Sequence, residues 1–575
     1  MKKPLQSLVG QKKVRFISAG RMGKIENYRS DYDGHRGSAI DYEQAEHGSK
    51  RDVQRRHLIE TLDGDFQTLS ERIDILIKVR ERLRKLFKRD IIVEWDAGHL
   101  KVAFARLNST AKPYSSGREA SGLLHLVGIL SALYDDEVGA LLIDEPEVSL
   151  HPQLQSFLLK EIVSCSGHPN DGKKIVAIAT HSTEFIQINK PEDLSSLIFS
   201  YDVGEAPIQI SPDASELKGK AIVGLVARLG QEHKLALFAK RPLLVEGPSD
   251  VIITSGLANK QNAHLEAAGS QLLPVVGKGQ LPVVAKLLRM MGKEPVVMAD
   301  ADGIADGLSL LNAFFAETAQ ADEKANLLGA SSATDLAKSV YSDFCKLVES
   351  DWEVIREHAE SHYYWLHRDK EKSPDQAKRR AAFSILFKKC SDTWLKDEAF
   401  KGWRAIRERF DAVLNLAEAS GLFVLRRGTI ESYYQSANPI TSVGKPNAAA
   451  TELQWIYETD PEEIEIAYAD VMRCIRFAAN VEEIREADAL RDIVLAIAAP
   501  AQAKLHENPS IQDLQLLNRS TLGDRSQIFD LALENGDLII SLKSKILNVN
   551  GFPIRIRKDD NVGGVVKASL APRDE

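Results

Sequence analysis

The stretch ALLIDEPEVSLHPQLQ, Ala140–Gln155, decides the fold. Its apolar start reads as a buried strand that delivers Asp144 and Glu145 at its C-terminal end. In open α/β sheets, ligands bind at that end of the strands. Asp144 suits a direct or water-mediated Mg²⁺ contact, and Glu145 suits polarising the water that attacks a γ-phosphate. An acidic pair after a strand is by itself a common turn. The run Pro146, Glu147, Ser149, Leu150, His151 and Pro152 behind it makes the signal specific.

Working outward, strand-like and helix-like segments alternate over residues 1–210. Lys13–Ser18 reads as a strand. Residues 66–88 carry apolar positions at helical spacing and predict an amphipathic helix. Ile91–Glu94 and Lys101–Ala105 read as a hairpin, and Lys174–Ala179 as a further buried strand. Such alternation argues for an α/β sheet. A second α/β unit begins near Arg241, with strands at Pro242–Val245, Leu272–Val276 and Pro295–Met298. Residues 308–420 are mostly helical and highly charged, a short strand follows at Leu422–Leu425, and the remainder to about 535 reads as helical. The extreme tail, DNVGGVVKASLAPRDE, reads as loose.

The 575 residues predict about three or four domains at roughly 100–200 residues each. No apolar run approaches the ~18–20 residues of a membrane span, and the basic N-terminus lacks the apolar core of a signal peptide. The four cysteines form no CxxC pair, which argues against a zinc knuckle or a disulfide framework and fits a reducing cytoplasm. A net charge of −8 confines any nucleic-acid contact to local basic patches or bound cations.

IDEPEVSLHPQLQ resembles the Walker B motif and D-loop of the ABC ATPases, in their RecF and OLD branch. Two companions stand in order around it. Ser115, Ser116 and Gly117 resemble the signature loop, whose backbone N–H groups at a helix start can grip a partner subunit's γ-phosphate. His181, after Thr180, resembles the switch histidine. The resemblance thus implies nucleotide contacts from Ser115, Ser116, Gly117, Asp144, Glu145 and His181. No GxxxxGK[ST] phosphate loop occurs in the chain. A start codon assigned too late, a shortened gene or a loop lost from the ATPase half would each explain this. ATP is therefore expected to bind the chain weakly on its own.

A second constellation is carboxylic. Leu243–Val245 leads into Glu246, Gly247, Pro248, Ser249 and Asp250. Val296–Ala299 leads into Asp300, Ala301 and Asp302. Val275–Gly279 ends a third strand in a glycine turn. Hard oxygen ligands at one sheet edge suit Mg²⁺ or Mn²⁺. A lone DxD is common; a strand ending in Glu-Gly followed by a strand ending in DxD resembles a Toprim domain. Behind an ABC-type half it resembles the OLD (overcoming lysogenization defect) nucleases.

That resemblance implies two divalent metals, able to stabilise the attacking and leaving oxygens of a phosphodiester. Glu246, Asp300 and Asp302 would hold one; Glu246, Asp250 and Glu431 would help hold the other. Lys278, Lys543 and Lys545 are candidates for a basic residue at the scissile phosphate, each set against the ordinary reading as a solvated lysine. Lys378, Arg379, Arg380, Lys388 and Lys389 could form a DNA-contacting face. Interleaved Glu371, Asp375, Asp392, Asp397 and Glu398 favour a salt-bridged surface instead, and the nearby tryptophans favour a core.

The expected architecture is α/β: an N-terminally incomplete ABC-type ATPase sheet, then a Rossmann-like Toprim domain with a helical insertion and a helical C-terminal region. The boundaries are 1–215 for the ATPase-like domain, 240–310 for the Toprim core, 311–420 for the insertion, 421–440 for the return strand and 441–575 for the C-terminal region. The resemblance implies a metal-dependent DNA endonuclease or nickase in phage defence or DNA processing. It further implies self-association through the ATPase-like half and a candidate partner defence protein. The rival readings are a non-cutting DNA sensor or scaffold and a RecF-like repair ATPase.

Overall fold

The computed structural model describes residues 2–23, 25, 45–227, 229–275, 278–316, 319–370, 373–388, 390–436, 444–480, 485–547 and 549–571. Two compact units emerge, Met1–Ala479 and Asn480–Glu575. Among the described residues, no helix is long and apolar enough to cross a membrane.

The first sheet of the larger unit is parallel, with Val138–Asp144 between Lys13–Ile17 and Ile175–Ala179. A strand covered on both faces reads as a continuous apolar run, and Ala140–Ile143 has that character. The helix Ser121–Tyr134 is buried from Leu123 to Leu133 and packs in the same core. Arg89–Asp96 and His99–Arg106 pair as the antiparallel hairpin that the pattern predicts. The single helix expected over 66–88 is instead two, Leu62–Glu71 and Ile73–Phe87. They break at Arg72, whose guanidinium bonds Asp74 at 2.7 and 3.0 Å and Asp136 at 2.7 Å.

The second sheet is also parallel, in the order Leu272–Pro274, Leu243–Val245, Val296–Asp300, Leu422–Leu425. The chain leaves the third strand, builds a helical insertion, and returns as the fourth. In the insertion, Ala333–Ala359, Pro374–Leu386 and Lys401–Ala419 pack around edge-to-face contacts among Phe344, Phe383 and Phe410. Trp352 and Trp403 are buried there, and Trp365 and Trp394 pack against the same core. The Trp403 indole donates to Asp351 at 2.9 Å, where the longest helix is kinked.

The smaller unit, expected to be mostly helical, also holds a short sheet. Glu486–Leu505 and Ile511–Leu522 pack on an antiparallel sheet of Phe529–Glu534, Asp537–Leu542 and Ile554–Ile556. Nor is the tail loose throughout. Val562–Ser569 is a helix capped by the Asn561 side chain, with Val566 in the core. The last residues of that tail lie outside the described set.

Candidate functional site

At the C-terminal end of the first sheet, Asp144 and Glu145 stand beside the residues that follow Ala179. The Glu145 N–H donates to the Ala179 carbonyl at 2.9 Å. Glu147 accepts from Thr180 Oγ1 at 2.8 Å and from the His181 N–H at 2.7 Å. That places His181 Nε2 3.9 Å from Glu145 Oε1. Beneath them lies the fully buried Arg21, donating to the carbonyls of Ser18, Asp144 and Glu145. Desolvation lowers its pKa to about 10.

The Ser115–Gly117 segment differs from the expected loop. A 3-10 turn at Ser116–Arg118 intervenes before the helix starts at Ser121. Ser115 Oγ accepts from the Gly117 N–H. Ser116 is buried, and its Oγ meets His47 Nε2 at 2.9 Å, while His47 Nδ1 meets Asp63 at 2.8 Å. The following helix abuts the loop after Glu147 so closely that a Cβ on Gly122 would stand 2.2 Å from the Ser149 carbonyl oxygen. Only glycine permits that approach.

The second sheet edge gathers carboxylates more tightly. Glu246 follows the Leu243–Val245 strand, Asp300 ends its neighbour, and Asp302 opens the short helix Asp302–Ala305. Parallel pairing of these strands brings their C-terminal ends together. One oxygen from each of Glu246, Asp300 and Asp302 lies within 4.8 Å of the others, a group that could hold a metal ion. Glu246 Oε1 also accepts from the Asp300 N–H at 3.1 Å.

Asp250 sits in the first turn of Pro248–Lys260 and accepts from the Gly247 N–H at 2.8 Å. Glu431 arrives from the return strand through a tight turn at Gly428, whose φ is +133°. A Cβ there would meet Ser432 Oγ at 2.7 Å. Glu431 is buried and pairs with Lys445 Nζ at 2.9 Å. Asp250 and Glu431 face the cluster electrostatically but fall outside its 4.8 Å group, and Asp144 joins no such group among the described residues.

Burial, and then Glu246, Asp250, Asp302 and Glu431, hold the Asp300 carboxyl well above its ordinary range. Burial likewise raises Asp250 to about 6, partly offset by the Gly247 N–H. Converging carboxylates that resist ionisation are the signature of a site completed by a cation. The all-oxygen donor set fits Mg²⁺ or Mn²⁺. Protons and metal compete for such ligands. Mn²⁺ affinity measured by calorimetry is therefore expected to strengthen at least about tenfold as pH rises from 5 through 7. A flat profile would contradict this assignment.

Three side chains that sequence patterning did not single out for this site converge on it. Lys445, at the start of Lys445–Glu458, supplies the cation beside Glu431. The Arg380 guanidinium lies 3.7 Å from Asp302 and clamps Asp306 with bonds of 2.8 and 2.6 Å. Tyr364 is buried with its ring under Arg380. Its hydroxyl meets no hydrogen-bond partner among the described residues.

Of the lysines nominated earlier, Lys543 pairs with Asp530 at 3.1 Å in the smaller unit, and Lys545 is exposed there. The Lys278 side chain, Val276 and Gly277 lie outside the described residues, as do Glu371 and Lys389. Lys378 pairs with Asp375, and Arg407 with Asp392. Arg380 faces the carboxylates rather than a free DNA-contacting surface.

Two parallel sheets thus present the candidate residues, one with Asp144, Glu145 and His181 at its edge and the other with Glu246, Asp300 and Asp302. The family model described as "AAA domain, putative AbiEii toxin, Type IV TA system" matches residues 29–187. The one described as "Overcoming lysogenization defect protein-like, TOPRIM domain" matches residues 237–302. The chain thus carries an AAA-type domain and an OLD-like Toprim domain.

It is similar to Endonuclease GajA of Bacillus cereus (strain VD045), 29% identical over 153 residues, covering 25% of this chain and 23% of that protein. It is also similar to the OLD nuclease of Thermus scotoductus (strain ATCC 700910 / SA-01), 27% identical over 187 residues, covering 31% and 34%. The Old nuclease of Escherichia phage P2 is 26% identical over 162 residues, covering 28% and 27%. The aligned stretches thus span about a quarter to a third of these relatives' lengths.

Proposed function

We propose that this chain is a divalent-metal-dependent DNA endonuclease or nickase whose Toprim edge performs phosphodiester hydrolysis. The observation that carries this reading is the convergence of Glu246, Asp300 and Asp302 within 4.8 Å. Those residues would hold one Mg²⁺ or Mn²⁺, with Asp250 and Glu431 contributing to a second. Bound there, the metals supply charge stabilisation for the attacking and leaving oxygens. Lys445, beside Glu431, is positioned to orient a non-bridging phosphate oxygen. Arg380 orients Asp302 through its contact at 3.7 Å. The nuclease relatives support a nucleic-acid substrate, here taken as DNA. The ATPase-type half serves as the self-association platform and regulator, and the setting is cytoplasmic phage defence or DNA processing.

The test is supercoiled plasmid incubated with Mg²⁺ or Mn²⁺. Asp302→Ala is expected to lower the cleavage rate by about 10²-fold or more, the scale of losing one preorganised electrostatic partner. Equal cleavage by variant and wild type would overturn the assignment.

ATP turnover is expected to behave differently. The chain has Asp144, Glu145 and His181 but no GxxxxGK[ST] stretch to cradle phosphates. Purified chain should hydrolyse ATP at no more than background rate. Robust turnover that Glu145→Gln abolishes would contradict this.

A further inference from the structure

The Toprim edge borders a partly open cleft of about 300 Å³ between the helical insertion and the return loop. Its wall includes His362, Tyr363, His367 and Lys388 from the insertion, and Glu431 and Lys445 from the return side. The charges in this wall do not balance. Lys445 is matched by Glu431. Lys388 is partly buried, and its ammonium meets no carboxylate or other hydrogen-bond acceptor among the described residues. Desolvation pulls its pKa below the ordinary lysine range.

The histidines line this space without adding carboxylate. His362 is pushed down to about 4 by burial and is therefore neutral. Its Nε2 meets the Arg427 carbonyl at 3.2 Å, and its Nδ1 accepts from the Tyr364 N–H at 3.3 Å. His367 Nδ1 meets the Tyr363 carbonyl at 3.0 Å. Thr429 and Ser432 line the same space. A half-buried cation without a counter-charge loses part of its solvation and favours an anion beside it. The volume is at the small end of ligand clefts, which run to about 300–1,000 Å³.

We propose that this cavity is a phosphate subsite for a single nucleic-acid strand, with Lys388 binding a phosphodiester flanking the position to be cut. The identity of the strand as the molecule being cut rests on the nuclease reading; the affinity of the cavity for its phosphate does not. At about 300 Å³ the cleft has room for one phosphodiester at a time.

The test uses the full chain in EDTA, where no cutting occurs, and a short fluorescein-labelled single strand followed by anisotropy across a salt series. Lys388→Met is expected to weaken binding about tenfold and to lower the salt slope by about 0.7, the share of one phosphate on a single strand. Lys388→Arg should bind like wild type. Because Lys388→Met removes an unpaired half-buried charge, it should melt no lower than wild type, which separates lost binding from lost folding.

Unchanged affinity and slope in Lys388→Met would overturn the proposal. So would displacement of the strand by inorganic phosphate at comparable concentration, which would assign the cavity to the free anion. A parallel Mn²⁺ reaction separates the two readings. Lys388-dependent binding without cutting removes the nuclease and keeps the subsite. Cutting with Lys388-independent binding removes the subsite alone.

Discussion

Asp300→Asn is expected to yield a metal-free protein that melts above wild type, and to cut DNA far more slowly. Both effects have one cause. The Asp300 carboxyl is half-buried, facing Glu246, Asp250, Asp302 and Glu431, and its pKa stands well above the ordinary 3.8. The unfolded chain releases this proton near pH 3.8, whereas the folded chain retains it to higher pH. The folded state then binds more protons, so the wild-type contribution is fully present below about 3.8 and is lost as pH rises through the raised value. Asparagine has no proton to hold and no charge to bury. The advantage of the variant is therefore nil in acid and grows toward neutral pH. A rise in Tm of about 2–4 °C corresponds to about 1 kcal/mol in a domain of roughly 150–250 residues. Cleavage is expected to fall by about 10³-fold, because an amide replaces a charged metal ligand. Thermal melts in EDTA from pH 4 to 8, with plasmid cleavage alongside, check both effects. A variant less stable than wild type at pH 7.5 would show that the carboxylates are not in mutual conflict. Stability sacrificed at a functional site is a general pattern.

Arg380→Met is expected to destabilise the larger unit by about 3–5 kcal/mol, the scale of removing one partner from a buried ion pair. The Arg380 side chain is 8% exposed and grips Asp306 through two parallel bonds, with Asp302 at 3.7 Å. It projects from Pro374–Leu386 in the insertion, while both acids belong to the segment leaving the DxD strand. The pair therefore joins the insertion to the catalytic edge. Arg380→Lys should recover only part of the loss, because an ammonium cannot reproduce the planar fork. Denaturant titration gives the magnitude. A change under about 1 kcal/mol for Arg380→Met would mean that the clamp contributes little beyond an ordinary surface pair.

Much of this architecture was legible in the chain. Buried parallel strands read as short apolar runs, and each of those at Ala140, Pro242, Pro295 and Leu422 lies on or overlaps an observed strand. The acidic ends of Leu243–Val245 and Val296–Asp300 were legible for the same reason. A carboxylate directly after a buried strand must emerge at the sheet edge. What sequence spacing could not convey is which distant helix meets that edge. Tyr364, Arg380 and Lys388 arrive through the packing of Phe344, Phe383 and Phe410, a contact among residues far apart in the chain. Lys445 enters as an ordinary residue at a helix start, and no local pattern marks it as the partner of Glu431. The sheet of the smaller unit escaped because DLALENGDLII mixes acidic and apolar residues within one tight hairpin, and a helical reading of its flanks overran it.

The central claim is that Glu246, Asp300 and Asp302 share a divalent cation. Anomalous diffraction from crystals grown with Mn²⁺ addresses it most directly. A manganese peak is expected within coordination distance of all three carboxylates, lost in Asp302→Ala. Manganese seen elsewhere on the molecule, with this trio bare, would contradict it.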